Sequence, residues 1–130
     1  MPALLKTIPL SVTVGEARAA LREALHVRNA AIFMELDHTR EAFNDLFTVP
    51  ASVSFLFGPR HPLWRVLRLF PALGAGLPLS IRLWQDAEGA NWLTCTDMDA
   101  LAALAAGAAD DPDFRQLRAL MDELIPLINR

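Results

Sequence analysis

Apolar and polar positions alternate most cleanly over Ser52 to Phe57, where Val53, Phe55 and Phe57 oppose Ser52, Ser54 and Leu56. A period of two is the mark of a strand that buries one face. Ala30 to Leu36 repeats the pattern, with Ile32, Met34 and Leu36 on one side and Phe33 on the other. Leu79 to Trp84 and Asn91 to Thr96 flank the turn Asp86-Ala87-Glu88-Gly89, which predicts a β-hairpin. Leu4 to Val12 reads as a further strand, and Pro9 places it at a sheet edge because proline donates no ladder bond.

Between these runs the period changes to that of a helix. Thr13 and Glu16 form a capping box, and Val14, Ala17, Leu21, Ala24 and Leu25 make an apolar stripe that stops at Asn29. Asp37 caps a short helix through about Leu46, with Ala42, Phe43 and Leu46 expected inward and Pro50 closing it. Gly58 to Pro62 leads into a helix carrying Leu63, Val66, Leu67 and Phe70 inward, ended by Pro71 and Gly74-Ala75-Gly76. Asp97 caps an Ala-rich helix that stops at Gly107. Asp111-Pro112 opens the last helix, with the stripe Phe114, Leu117, Leu120, Met121, Leu124 and Ile128. No linker or repeat divides the chain. The expectation is one α+β domain over residues 1–130, a single-layer, mostly antiparallel sheet packed against the first and last helices.

Composition narrows the classes of partner. A chain of 130 residues, 53% hydrophobic and 21% charged, is sized and constituted to bury one core. The net charge of -3 gives no basic face for nucleic acid. No run approaches the roughly 18 apolar residues of a membrane span, and Met1 to Leu10 lacks the form of a signal peptide. A single cysteine, Cys95, forms no internal disulfide, and its alternating strand suits a buried, inert thiol. A cytoplasmic location is expected.

The order Met34-Glu35-Leu36-Asp37-His38 with Ala42, then Ser54-Phe55-Leu56-Phe57-Gly58, then Leu77-Pro78-Leu79 and the Trp84-Gln85-Asp86 to Gly89 hairpin ending in Asp97, resembles the DUF302 family, small α+β domains of the TT1751-like fold. The resemblance covers roughly Val14 to Ile128. It implies that fold and a homodimer, and it implies no particular reaction or cofactor.

Two polar pairs are the candidate ligand-binding residues. In Asp37-His38 a carboxylate stands beside an imidazole, an arrangement that suits orientation of a base, or else a helix cap with a solvated histidine. Arg60-His61 opens a helix, where free N–H groups and a guanidinium fork suit a small anion, or else forms a plain solvated turn. Trp64, Arg65, Arg68 and Phe70 are the candidate interface residues, unless that helix only roofs its own sheet. The three histidines His26, His38 and His61 have no metal-ligand spacing, and no Gly-x-Ser-x-Gly elbow marks a hydrolase, so neither a metal site nor a catalytic residue is assigned. The leading expectation is a non-enzymatic, homodimeric binding or accessory domain holding a small anionic ligand near Asp37, His38, Arg60 and His61. The alternatives are an enzyme with a histidine general acid–base and a purely structural interaction domain.

Overall fold

The computed structural model describes residues 3–130. Five strands, β1 (Leu5–Pro9), β2 (Ala31–Asp37), β3 (Ser52–Gly58), β4 (Leu79–Gln85) and β5 (Asn91–Thr96), form one sheet in the order β1-β5-β4-β3-β2. Every neighbouring pair is antiparallel, as hairpin and edge signals in the sequence anticipate. Pro9 stands on the edge strand β1. Helices α1 (Val14–Val27), α3 (Arg60–Leu69) and α5 (Pro112–Ile128) pack on one another along one face, and α1 lies across β2, β3 and β4. Two short helices, α2 (His38–Asn44) and α4 (Met98–Ala102), complete the chain with single 3-10 turns at Pro71–Ala75 and Ala108–Asp110.

Local chemistry accounts for the boundaries. The Thr13 hydroxyl accepts from Glu16 N and donates to the Glu16 carboxylate, closing the N-terminus of α1. Asp37, Asp97 and Asp111 each accept backbone N–H groups in the first turn of α2, α4 and α5. Asn29 takes positive φ after α1, and Gly89 supplies the left-handed position of the β4–β5 turn. The Ala-rich stretch is helical only over Met98–Ala102 and then turns, with Gly107 at φ 85 before the second 3-10 turn. Helix α5 runs past Pro126 to Ile128.

The helical face of the sheet is the core. Phe55, Ile81 and Cys95 share one row across β3, β4 and β5, and all three are fully buried, as are Phe57, Leu79, Leu83 and Leu93. Leu21 and Leu25 of α1 and Phe114, Leu117 and Leu124 of α5 close over them. Residues one step out of phase point the other way. The row Thr7, Thr94, Arg82, Ser54, Leu36 crosses all five strands on the second face. None of α1, α3 and α5 covers that face.

One sequence expectation fails at α2. Phe43 and Leu46 do not pack inward: they are 71% and 94% exposed, Phe47 beside them is 68% exposed, and no residue of α2 is buried. The helix meets β3 through its first turn, where Thr39 Oγ1 accepts from Ser52 N and His38 meets Ser54. It leaves Phe43, with Leu46 and Phe47 beyond it, in solvent as an arm at the β2–β3 corner. Truncating the central core residue measures the covered face: Phe55→Ala should lose about 3–5 kcal/mol in urea unfolding, the scale for a fully buried phenylalanine.

Candidate functional site

The four residues expected to share one cleft are divided by the β2–β3 pairing. Asp37 stands opposite Val53 at one end of this pair, and Ala31 stands opposite Gly58, next to Pro59-Arg60-His61, at the other. Six residue steps along β2 separate Asp37 from Ala31, about 20 Å at the usual rise. Asp37 and His38 therefore cannot act with Arg60 and His61 on one small ligand.

Their surroundings differ as well. The Asp37 carboxylate caps α2 by accepting from Arg40 N at 2.9 Å, and it accepts from Arg18 Nη1 at 2.9 Å on the helical side. These two interactions, the backbone N–H of Arg40 first, hold its carboxyl below the ordinary carboxylate range. His38 turns to the uncovered side, where Nε2 lies 2.7 Å from Ser54 Oγ. Asp37 thus does not orient its neighbour's imidazole. At the far end the Arg60 guanidinium lies 5.0 Å above the Phe33 ring, and Arg60 and His61 line an open depression of about 540 Å³ with Asn29, Ala30 and Pro62. Among the described residues no three His, Cys, Asp or Glu side chains gather as metal ligands.

The candidate interface residues on α3 are in part engaged within the chain. Arg65 makes a forked pair with Asp113 through Nε and Nη2, both at 3.0 Å, and Phe70 packs against the core. Trp64 is half exposed, with its ring 5.6 Å from that of Phe33, and Arg68 is exposed.

The uncovered face holds a cluster that the sequence reading passed over. Arg82 sits midway along β4, the central strand, and is exposed. Its Nε donates to Ser52 Oγ at 3.1 Å, and its guanidinium lies 4.9 Å from the Trp84 ring, which fixes the plane of the fork. Ser54 and Thr94 flank it in the same row. Thr94 Oγ1 is bonded by Thr7 and by Trp84 Nε1, and Trp84 stacks on Trp92, whose Nε1 donates to Asp86. Arg18, Arg22, Arg28, Arg65, Arg115 and Arg118 make ion pairs, whereas among the described residues Arg82, like Arg40, Arg60 and Arg68, makes none, and of these only Arg82 lies on the sheet. The alternation Ser80, Arg82, Trp84 against Ile81 and Leu83 already aimed this arginine outward. What the alternation lacked was any sign that no helix would cover that side.

A five-stranded antiparallel sheet, covered by helices on one face and presenting one arginine at the centre of the other, defines a small, one-sided α+β domain. The chain belongs to the family described as "Domain of unknown function DUF302", whose model matches residues 6–127. Among solved structures it is similar to the uncharacterized conserved protein DUF302 from Bacillus stearothermophilus, at 16% identity over 98% of this chain and 97% of that one, with a TM-score of 0.66. That likeness shows the fold. No curated protein matches the chain.

On the helical side, Glu35 is gripped by two guanidinium groups. Arg22 reaches it through Nε and Nη2, and Arg18 through Nε at 2.9 Å and Nη2 at 2.6 Å. Arg22 foremost, with Arg18, keeps the Glu35 carboxyl below its ordinary value against the opposing effect of burial. A depressed folded-state value means that this stabilisation is complete above the unfolded value of about 4.3 and is lost as pH falls through the folded one. Glu35→Gln should therefore reduce stability at neutral pH and flatten its fall below about pH 4, in unfolding curves recorded across that range.

Proposed function

We propose that this domain is a non-enzymatic accessory and binding protein of the cytoplasm that works as a homodimer, with the α2 arm of each copy seated on the uncovered sheet face of the other. The observation that carries this reading is the arm itself. Phe43, Leu46 and Phe47 project into water, and three large apolar side chains side by side on a small domain mark an interaction site. The arm is also built to hold its shape. Phe47 N bonds Ala42 O at 2.8 Å and Leu46 N bonds Phe43 O at 2.9 Å, a Schellman ending in which Leu46 occupies the left-handed position at φ 69. Glycine or asparagine would serve that turn with less strain, so the leucine brings no benefit within one chain.

A receiving surface lies diagonally across the same face. Leu5, Leu56, Leu77 and Pro78, with Ser80 and Thr96, line an apolar groove of about 580 Å³. The arm leaves the Ser52 end of the β2–β3 edge, and the groove crosses the other end toward β1. Two diagonal corners exchange under a two-fold axis, so each arm meets the partner's groove. The sheet face is about 20 Å on a side from strand spacing and rise. With the arm added, it approaches the roughly 800 Å² per partner of a standard interface. Sedimentation analysis should find a dimer that Leu46→Asp or Phe43→Asp weakens by about 2 kcal/mol or more, with an unchanged circular dichroism spectrum because both sites are exposed. A monomeric native protein, or variants as dimeric as the native chain, would exclude this arrangement.

A second reading rests on the 2.7 Å contact between His38 Nε2 and Ser54 Oγ, the distance at which an imidazole acts as general base for a hydroxyl. On that reading a fluorophosphonate probe labels Ser54, and His38→Gln abolishes the labelling. Failure of the native protein to label at Ser54 favours the binding role.

A further inference from the structure

We infer that the uncovered face binds a small oxyanion of the phosphate class, held between the Arg82 side chains of two copies. The inference rests on the dimer proposed above and adds the ligand that such a dimer needs. Arg82 lies in the middle of the central strand, so in a two-fold pairing of these faces both copies of this residue come close to the axis. Sheets packed face to face stand about 10 Å apart, so the two guanidinium groups, each lying on its own Trp84 and Ser52, face one another across that gap.

Two guanidinium groups brought together out of water repel and lose hydration, so the pairing is unfavourable unless negative charge lies between them. Beside Arg82 the face supplies none. Its outward residues there are Leu36, Ser54, Thr94 and Thr7 in the row of Arg82, with the imidazole of His38 on Ser54. Leu56, Ser80, Thr96 and Leu5 form the row on one side, and Ser52, Trp84 and Trp92 the row on the other. The exposed acids Glu41 and Asp45 sit in the arm at the corner. The next acidic residue along the strand, Asp86, is four positions on and is engaged by Trp92 Nε1 and by the N–H groups of Glu88 and Ala90.

The arginine is prepared for such a ligand. Ser52 occupies Nε and Trp84 fixes the plane, which leaves Nη1 and Nη2 as the presented fork. Ser54, directly beside Arg82 in the register, adds a hydroxyl donor when His38 Nε2 donates to its oxygen. A tetrahedral dianion offers oxygens to both forks at once and matches the two positive charges. A single carboxylate faces one fork and leaves the other uncompensated.

The test measures assembly and anion binding separately, with inorganic phosphate as the probe and chloride at matched ionic strength as the control. Phosphate should tighten dimerisation of the native chain at least tenfold in sedimentation equilibrium, and calorimetry should give one phosphate per two chains. Arg82→Gln should abolish both effects while leaving thermal unfolding unchanged, and Arg82→Lys should restore them only in part. A native dimer indifferent to phosphate, matched by Arg82→Gln, overturns the anion site and leaves the dimer standing. A chain that stays monomeric with and without phosphate overturns the dimer and the bridged anion together.

Discussion

Everything in this molecule depends on burying one face of a five-stranded sheet under α1, α3 and α5. Phe55, Ile81 and Cys95 in one row, with Phe57, Leu79, Leu83 and Leu93 around them, remove from water the apolar area on which a domain of this size depends. The helices that close over them are amphipathic, so their polar sides are spent on solvent and on ion pairs such as Arg28 with Glu123. No long helix is left for the second face. The pleat then sends every other side chain of five strands onto a surface that α1, α3 and α5 do not cover.

That asymmetry explains where polar chemistry collects. On the helical side charges are matched: Arg18 and Arg22 hold Glu35, Arg18 also reaches Asp37, and Arg65 forks onto Asp113. On the uncovered side hydroxyls bond one another, His38 meets Ser54, and Arg82 is oriented by a serine and a tryptophan without an acid to neutralise it. Matched charges tie layers together, whereas an oriented, unmatched cation is suited to a ligand. The proposed dimer and its anion both follow from the same constraint, a sheet with two faces and helices for one. Among the described residues no helix is long and apolar enough to cross a membrane.

Much of the fold was legible because its signals are local. Alternation marked Ser52–Gly58 and the β4–β5 hairpin, and the caps at Thr13, Asp37, Asp97 and Asp111 marked helix starts through hydrogen bonds spanning two or three residues. The misreadings share one cause. Phe43 and Leu46 satisfy the spacing of an inward stripe, but a stripe is buried only where another layer meets it, and the contacts of α2 with β3 leave this one in solvent. Likewise the Ala-rich stretch has helical composition, yet its helix ends at Ala102 and the chain runs through turns to Gly107 at φ 85 before Ala108 packs into the core.

The sequence by itself determined the elements, their caps, the edge position of Pro9 and the two-sided pattern of each strand, because these are set by residues within a few positions of one another. Only the tertiary structure decided which sides of the strands would be covered. The antiparallel register of β2 on β3 sent Asp37-His38 and Arg60-His61 to opposite ends of the sheet, breaking apart a site that looked continuous in the residue types. The same register across β3, β4 and β5 set Arg82 between Ser54 and Thr94 on the bare face. Register and layering join residues tens of positions apart, so no local pattern could have assembled that face in advance.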